Sequence, residues 1–356
     1  MIIGIIPNKN DGWILEANLK VFSKLCDKVI VGLDNCSDNS ELIVKKFKNV
    51  LIVKNNTSEL VINNQNRRQI LLKKARELKK NSIIIAIDAD EIFSEEILSK
   101  KNVDYIRNLN HGITLEVKFR ELWFSPRLYR SEKNSYWAGR LMPCIWKDNG
   151  LNYDSNNWHE PRVPVNKKKK ILDVELIHFA RVRPLNYWSR IRYYIARDVF
   201  INKKNPIKSN FLYSITQSEK NMILSPLKKK WFPSFSSDFF FNVQKTDNHI
   251  NWFNDKVLDY LLNDNQSRLK LADIWNFDWI NYYKIRKNKK PDYLIVSKLK
   301  DKRSVLEKKI AYYIKMNYSY PVYSTYFYFS LVEIFLIKIK TYYFIKRAFL
   351  KMKRFF

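Results

Sequence analysis

The sequence predicts an α/β fold built on a mostly parallel, doubly wound sheet, followed by a helical extension rich in basic and aromatic residues. In the N-terminal part, short apolar runs alternate with segments of helical periodicity, which is the pattern of such a sheet. The clearest run, residues 83–87, is unbroken and too short for a helix, as expected of a strand buried on both faces. Acidic residues follow it directly, at the edge where sheets of this kind bind ligands.

The first predicted elements alternate strictly between strand and helix. Strands are predicted over residues 2–6, 28–33, 50–53 and 83–87, and helices over residues 12–25, 41–47 and 65–78. A dense turn-and-cap cluster, residues 34–40, follows the second strand. Because parallel strands end at the same edge of a sheet, Asn8, Asp34 and Asp88 are expected to lie along that edge.

The regular alternation fades farther along the chain. Alternating apolar and polar residues predict a half-buried strand over residues 112–119. A further strand is predicted over residues 172–179 and carries His178 near its end. The basic run just before it, residues 167–170, is predicted to be the tip of a hairpin.

The composition bounds the class of protein. The chain has 356 residues, 46% of them hydrophobic, and a formal net charge of +30. Such a charge predicts attraction to polyanions: nucleic acid, an anionic membrane surface or phosphorylated small molecules. A composition biased towards Lys, Asn, Ile, Tyr and Phe offers a simpler explanation, an ordinary solvated surface. The composition changes near residue 225, which predicts a first domain, residues 1–225, and a helical region, residues 226–356.

The cysteines and the two ends of the sequence indicate a compartment. The three cysteines form no CxxC pair and no metal-binding spacing, which favours a reducing compartment and core packing. The apolar N-terminus is too short for a signal peptide and lacks a basic region. For residues 318–356 we expect peripheral contact with an anionic membrane, with a packed helix and a spanning segment as the alternatives. The expected location is the cytoplasm, with peripheral attachment to the inner face of the plasma membrane.

The acidic residues after the strand at 83–87 are the strongest chemical signal. Asp88 and Asp90 are two residues apart, so in an extended segment they point the same way. Paired carboxylates suit Mn²⁺ or Mg²⁺, particularly where a diphosphate supplies further oxygens. The alternative is structural: Asp88, Asp90 and Glu91 end the strand, and Ser94 caps a following helix.

Several motifs in this order resemble a known family. They are Gly4-Ile-Ile-Pro7, Asp34-Asn-Cys-Ser-Asp38, Asn66-Arg67-Arg68 and Ile87-Asp-Ala-Asp-Glu91. Together they resemble the nucleotide-sugar half of family 2 glycosyltransferases, which have the GT-A fold, a Rossmann-like sheet. Three later motifs, Arg140-Leu, His159-Glu160 and Leu176-Ile-His178, resemble a subgroup that builds lipopolysaccharide core and capsule. The resemblance covers roughly residues 1–185, and it departs from the family where Asn39-Ser40 replaces Gly-Thr in a turn.

The resemblance implies residues for the donor and for a metal. Asp34 would accept hydrogen bonds from the nucleobase, Arg67 or Arg68 would hold the diphosphate, and Asp88 would face the ribose or the hydration shell of the metal. The implied donor-binding set is Pro7, Asn8, Asp34, Asn35, Arg67, Arg68 and Asp88. Mn²⁺ or Mg²⁺ would be bound by Asp90, with Asp88 and His178 completing the implied metal set.

The resemblance also implies residues for transfer to the acceptor. An inverting reaction needs a base to deprotonate the acceptor hydroxyl. Glu160 is the candidate, with Glu91 as the rival. His159 and Arg162 are the candidate acceptor-binding residues. A negatively charged acceptor would account for part of the positive charge of the chain.

The predicted function is therefore that of an enzyme, an inverting, metal-dependent glycosyltransferase. Its partners would be a nucleotide-diphosphate sugar donor, a glycan or glycolipid acceptor such as lipopolysaccharide or capsule, and an anionic membrane surface. Three alternatives remain open. A basic nucleic-acid-binding protein would explain the charge, although no nucleic-acid-binding motif appears and no specific nucleic acid is expected as a partner. A sugar nucleotidyltransferase would use a similar sheet, and a scaffold without activity would need neither metal nor donor.

Overall fold

We describe the protein from a computed structural model, which describes residues 1–55, 64–132, 138–153, 162–164, 168–201, 206, 209, 213, 222–248, 250–263 and 269–317. Its contacts divide the chain into two units. Unit 1 comprises Met1–Trp188 and Met222–His249, and unit 2 comprises Ser189–Asn221 and Ile250–Phe356. The sequence-based division after residue 225 stays a prediction.

Unit 1 is built on a large sheet and a small one. The strands are β1 (Ile2–Asn8), β2 (Lys28–Asp34), β3 (Val50–Asn55), β4 (Ile83–Ala86), β5 (Glu91–Phe93), β6 (Ile113–Glu121), β7 (Leu128–Arg130), β8 (Ala138–Lys147), β9 (Lys168–His178) and β10 (Leu224–Pro226). The large sheet is eight-stranded, in the order β3-β2-β1-β4-β8-β6-β9-β5, while β7 and β10 form a two-stranded sheet. The β3, β2, β1 and β4 strands are parallel neighbours.

The remaining strands of the large sheet mix both directions. β8 is antiparallel to β4 and to β6, β6 is parallel to β9, and β5 is antiparallel to β9. The predicted α/β fold is confirmed, and this arrangement is consistent with the Rossmann-like GT-A sheet that the resemblance implies. One detail is wrong: Lys168, Lys169 and Lys170 lie within β9, paired with Ile113 to Leu115 of β6, and do not form a hairpin tip. Short β5 leaves this end of β9 at the sheet edge, where lysines are favoured.

The helices cover the sheet and build unit 2. They are α1 (Gly12–Leu25), α2 (Ser40–Val44), α3 (Asn64–Leu78), α4 (Lys100–Arg107), α5 (Pro184–Phe200), α6 (Ser237–Lys245), α7 (Trp252–Asn263), α8 (Trp279–Lys287), α9 (Tyr293–Leu299) and α10 (Val305–Asn317). The predicted helical character of the C-terminal region is thus confirmed over α6 to α10. Residues 318–356, on which we expect membrane contact, lie outside the described residues. In the part of the chain that the structure describes, no helix is both long and apolar enough to cross a membrane.

Of the parallel strands, β1, β2 and β4 are buried on both faces, as their apolar runs predict, whereas β3 lies at the sheet edge and is only partly buried. In β1, Ile2 and Ile6 belong to one core cluster, which also contains Phe22 of α1. Ile3 and Ile5 face the opposite side, where Leu72 of α3 packs. This alternation follows from the two-residue period of a strand. Burial of β1 between α1 and α3 fixes which residues reach the C-terminal edge of the sheet.

Close packing of α1 on β1 explains one glycine. A β-carbon on Gly4 would overlap the ring of Phe22 and contact the sulfur of Cys26 at 3.1 Å. Glycine is therefore required here because the helix approaches the strand backbone directly.

Unit 2 has an aromatic interior. Trp279 is buried, and its indole nitrogen donates to the carbonyl of Ile274 at 2.9 Å. Trp252 and Phe253 stack with their ring centroids 4.0 Å apart. Such pairs bury large apolar areas, so these described aromatic residues of unit 2 are accounted for as core.

Candidate functional site

The C-terminal ends of β1 and β2 form the first part of the sheet edge along which Asn8, Asp34 and Asp88 are expected. Asn8 is fully buried, and its amide nitrogen lies 3.3 Å from the sulfur of Cys36. Asn35 has a φ of 44°, a left-handed conformation that asparagine tolerates better than most residues. Asp38 then accepts a hydrogen bond from the backbone N–H of Gly12 at 2.8 Å, which ties this turn to the start of α1. The predicted turn after β2 therefore shapes the edge, and it does so without Gly-Thr.

An open cleft lies beside Asp34. It is small, with a volume of ≈ 10 Å³, and its lining residues are Pro7, Gly32, Asp34, Val53, Asn55, Arg67, Ile70 and Leu71. Asp34 accepts a hydrogen bond from the amide of Asn55 at 2.9 Å and forms an ion pair with Arg67 of α3. The cleft thus combines apolar walls with an ion-paired acid and base.

The acidic turn, residues 88–91, follows β4 and holds a network of two carboxylates and two arginines. Asp88 contacts Arg68 at 2.6 Å and Arg162 at 3.4 Å. Both carboxylate oxygens of Glu91 contact Arg162, and one of them accepts the backbone N–H of Asp88 at 2.9 Å. Opposite charges in direct contact offset the cost of burying each group.

The pKa values of the two carboxylates move in opposite directions. Burial raises the pKa of Asp88, but the charges of Arg68 and Arg162 outweigh it and hold the pKa below its ordinary value. Burial also raises the pKa of Glu91, and here the charge of Arg162 offsets it only in part. The difference follows from the number of arginines that each acid faces.

Asn18 of α1 fixes the backbone of the acidic turn. Its amide nitrogen donates to the carbonyl oxygens of Asp88 at 3.2 Å, Ala89 at 3.5 Å and Glu91 at 2.6 Å. The side chain is buried, so these carbonyls are satisfied without water. The sequence analysis missed this residue. A buried polar residue on the apolar face of a helix was its only signal.

Asp90 faces the opposite way from Glu91 and meets His178 at the end of β9. The Nε2 of His178 lies 3.5 Å from Asp90, and its Nδ1 lies 2.9 Å from Glu121 of β6. Burial lowers the pKa of this imidazole, but the charges of Glu121 and Asp90 outweigh burial and raise its pKa to about 10. Sequence reasoning placed Asp90 and His178 in one metal set, and the structure brings them together. It gave no role to Glu121.

The donor atoms at this point suit a divalent cation. Asp90 supplies a carboxylate, the kind of ligand that Mg²⁺ and Mn²⁺ prefer. His178 supplies an imidazole nitrogen, which suits transition-metal ions better than Mg²⁺ and so favours Mn²⁺ of the two. Within the ranges that the structure describes, no group of three or more His, Cys, Asp and Glu side chains is placed to hold a metal ion. A cation here would therefore take its other ligands from water or from a bound diphosphate. The oxygens of Asp88 instead contact arginines.

Only some of the residues predicted to take part in transfer to the acceptor lie within the described part of the structure. Glu160 and His159 lie outside the described residues. Glu91, the rival base, is fully buried with both oxygens on Arg162. Arg162 is itself buried in that pair, and Arg140 of β8 lies over the ring of Phe119 with its Cζ 4.9 Å from the ring centre.

Comparisons with known proteins give similarity to solved structures only. Neither a protein-family model nor a curated protein sequence matches this chain. Glucosyl-3-phosphoglycerate synthase from Mycobacterium tuberculosis, solved with Mn²⁺ and UDP, is 18% identical with a TM-score of 0.26, over 34% of this chain and 44% of that one. The 4-diphosphocytidyl-2C-methyl-D-erythritol synthase from Anaerococcus prevotii is 15% identical with a TM-score of 0.29, over 49% of this chain and 87% of that one.

The similarity is confined to part of each molecule. This chain spans less than half the length of the glucosyl-3-phosphoglycerate synthase structure. Both similar structures are of enzymes whose names or bound ligands include a nucleotide. What this chain does has to follow from its own residues.

Proposed function

We propose that this protein is an inverting, metal-dependent glycosyltransferase that moves a sugar from a nucleoside diphosphate to a glycan or glycolipid acceptor. The observation that carries the proposal is the acidic turn. It places Asp90 against His178 and Asp88 against two arginines, at the ligand-binding edge of an α/β sheet and on the strand next to the cleft at Asp34.

The cleft at Asp34 is the proposed nucleoside site. Its apolar walls, such as Leu71, would cover the faces of a base, and Asp34 would accept its N–H groups. Arg67 now pairs with Asp34, so a bound nucleotide would exchange partners with it. The released guanidinium would then lie near the phosphates, for which its planar donors are well suited.

Asp90 and His178 are the proposed ligands of Mn²⁺ or Mg²⁺. Such an ion supplies charge that stabilises the departing diphosphate. Arg68, which contacts Asp88 at 2.6 Å, would add positive charge beside it. The metal would replace a proton on His178, because a metal ligand binds through its unprotonated nitrogen.

Glu160 remains the proposed base, with His159 beside it as an acceptor contact. The buried pairing of Glu91 with Arg162 supports this choice over Glu91, since neither Glu91 oxygen faces solvent. Arg162, which the resemblance assigns to the acceptor, is instead buried against Glu91 and Asp88, and we propose that it acts by holding these two acids. The acceptor class, a surface glycan such as lipopolysaccharide or capsule, rests on the resemblance of the Arg140, His159-Glu160 and His178 motifs.

The decisive experiment is a thermal-shift panel of UDP-, GDP-, CMP- and dTDP-sugars, each with and without Mn²⁺. We expect one nucleotide to raise the melting temperature, and to do so only with metal. Asp90→Asn should remove the metal-dependent part of the shift. Asp173→Asn is the matched control, since Asp173 is an exposed carboxylate on β9 that pairs with Lys118.

Other outcomes would redirect the proposal. A shift that does not need metal would remove Asp90 from the metal site. Stabilisation by DNA or heparin alone would favour the nucleic-acid-binding alternative. Release of pyrophosphate instead of a nucleoside diphosphate would identify a sugar nucleotidyltransferase.

A further inference from the structure

Glu121 is a buried acid that has no role in the reaction proposed above. It is the last residue of β6, and its side chain is 2% exposed. It lies level with His178 in the parallel pairing of β6 and β9. Its two oxygens have different partners: one lies 2.9 Å from Nδ1 of His178 and the other accepts from Nε of Arg181 at 3.1 Å. A carboxylate is costly to bury, so its place calls for an explanation.

Arg181 holds Glu121 in one orientation. The guanidinium lies over Trp123, 4.2 Å from the ring centre, and donates to the hydroxyl of Tyr187 at 2.7 Å. Both Arg181 and Glu121 are almost fully buried. An arginine fixed by stacking and by hydrogen bonds leaves its carboxylate partner little freedom. The second oxygen of Glu121 therefore meets the imidazole from a fixed direction.

The direction of that contact decides which nitrogen of His178 faces the site. With Nδ1 on Glu121, Nε2 points towards Asp90, 3.5 Å away. Rotation of the ring by half a turn would break the hydrogen bond to Glu121. Histidines that bind metals are commonly held in this way, with the second nitrogen on a carboxylate.

We propose that Glu121 is the positioning residue of the site: it orients His178 so that Nε2, beside Asp90, is the nitrogen presented to a divalent cation. This inference rests on the proposed metal-dependent function. It adds Glu121, on a strand outside every motif that the sequence analysis used, to the residues on which metal affinity depends.

The test compares Glu121→Gln and Glu121→Ala with Glu175→Gln. Glu175 is a matched control because it is a buried acid on β9 that pairs with Arg120 at 2.7 Å and has no role in orienting His178. Mn²⁺ affinity is measured by electron paramagnetic resonance, with whichever of UDP, GDP and dTDP most stabilises the wild type. We expect Glu121→Ala to weaken Mn²⁺ binding about 10- to 100-fold, and Glu175→Gln to leave it within about twofold of wild type.

A spectroscopic readout separates orientation from general damage. Electron spin echo modulation detects ¹⁴N coupling when an imidazole nitrogen binds Mn²⁺ directly. The wild type and Glu175→Gln should show the coupling, and His178→Gln and Glu121→Ala should lose it. Glu121→Leu, which fills the space but cannot accept a hydrogen bond, serves if the alanine variant does not fold. Glu121→Gln keeps an acceptor oxygen for Nδ1, so it should retain the coupling.

The outcomes distinguish the two proposals. Unchanged Mn²⁺ affinity and unchanged ¹⁴N coupling in a folded Glu121→Ala or Glu121→Leu variant would overturn the positioning role and leave the glycosyltransferase proposal standing. A wild-type protein that binds Mn²⁺ without ¹⁴N coupling would overturn the positioning role and also remove His178 from the proposed metal ligands. A wild-type protein that binds no Mn²⁺ with any nucleotide would overturn both.

Discussion

Asp90 and Glu91 are neighbours in the sequence with opposite surroundings. Asp90 lies against His178, whereas Glu91 is enclosed with Arg162. Residues 88–91 form a turn, closed by a hydrogen bond of 3.1 Å from the backbone N–H of Glu91 to the carbonyl of Asp88, so Asp88 and Asp90 do not point the same way as an extended segment would predict. One acidic run therefore supplies two different sites. From the sequence, Asp90 is an expected metal ligand and Glu91 the rival base; their partners support Asp90 as a candidate metal ligand and make Glu91 a structural anchor.

At the scale of single residues, the substitution Glu91→Gln tests whether Glu91 is a structural partner of Arg162 or the catalytic base. Removing the negative charge leaves Arg162 buried with a weaker partner, so the free energy of unfolding should fall by about 3 kcal/mol. Urea unfolding measures the change. Glu96→Gln is the control, because Glu96 is exposed and 3.7 Å from Lys230. Unchanged stability together with abolished transfer would instead support Glu91 as the base.

His178 should make the stability of the metal-free protein depend on pH. Its pKa is raised to about 10 in the folded protein, against about 6.5 in an unfolded chain. A raised pKa contributes stability that is fully present below the unfolded value and is lost as pH rises through the folded value. In a chelator, we expect the free energy of unfolding to fall by a few kcal/mol between pH about 6.5 and about 10.

The variant His178→Gln isolates this effect from other titrating groups. Its unfolding free energy should change less over the same pH range, and the difference between the two profiles measures the contribution of His178. Profiles that run parallel would show that the imidazole is not charged in the folded protein.

At the scale of elements, the parallel half of the sheet could be predicted from the sequence and the other half only in part. Strands β1, β2 and β4 are apolar because both of their faces are buried, so each can be recognised from its own sequence. The edge strand β3 is only partly buried, but its short apolar run predicts a strand as well. Strand β8 was missed, and β9 begins earlier than predicted, because their limits depend on pairing with β6, which includes irregular register. Pairing between distant strands leaves no local pattern.

The same limit explains which site residues were found. Asp34, Asp88 and Asp90 follow predictable strands, so chain direction alone places them at one edge. Glu121 reaches the site because it is paired with His178 in the register of β6 and β9, and Asn18 reaches it from helix α1. Neither relation can be derived without the three-dimensional packing. The sequence thus predicts the carboxylates that begin the site but not the residues that hold them.

The contact of β1 with α1 gives a prediction about an element. Gly4→Ala places a β-carbon into the ring of Phe22, so we expect a loss of about 2 kcal/mol in the free energy of unfolding. In a Phe22→Ala background the obstacle is absent, and the same change should cost little. Equal costs in both backgrounds would show that backbone flexibility, not the ring, decides the effect. Denaturant unfolding of the four proteins completes the cycle.

At the scale of the whole molecule, the question is which parts of the chain carry the net charge of +30. The arginines of the site are paired with acids, as Arg67 is with Asp34 and Arg68 with Asp88. Most of the excess charge therefore lies elsewhere. Spread over the surface and the C-terminal region, it favours weak, salt-dependent attraction to anionic surfaces.

Residues 318–356 are the segment on which this attraction can be tested. If they contact the membrane, a protein that ends at residue 317 should no longer co-sediment with vesicles that contain anionic lipid, since apolar and basic residues act together in such binding. Neutral vesicles and high salt are the controls. Continued co-sedimentation of the shortened protein would assign the contact to another surface.

The bonds from Asn18 to the acidic turn limit how this site can be transplanted. A designer who copied residues 83–93 into another protein would carry over the carboxylates and the buried strand. The carbonyls of Asp88 and Glu91 would arrive without their donor, which lies 70 and 73 residues earlier on α1. Buried carbonyls without a donor favour a different backbone. The smallest portable unit is therefore the turn together with the helix that begins at Gly12.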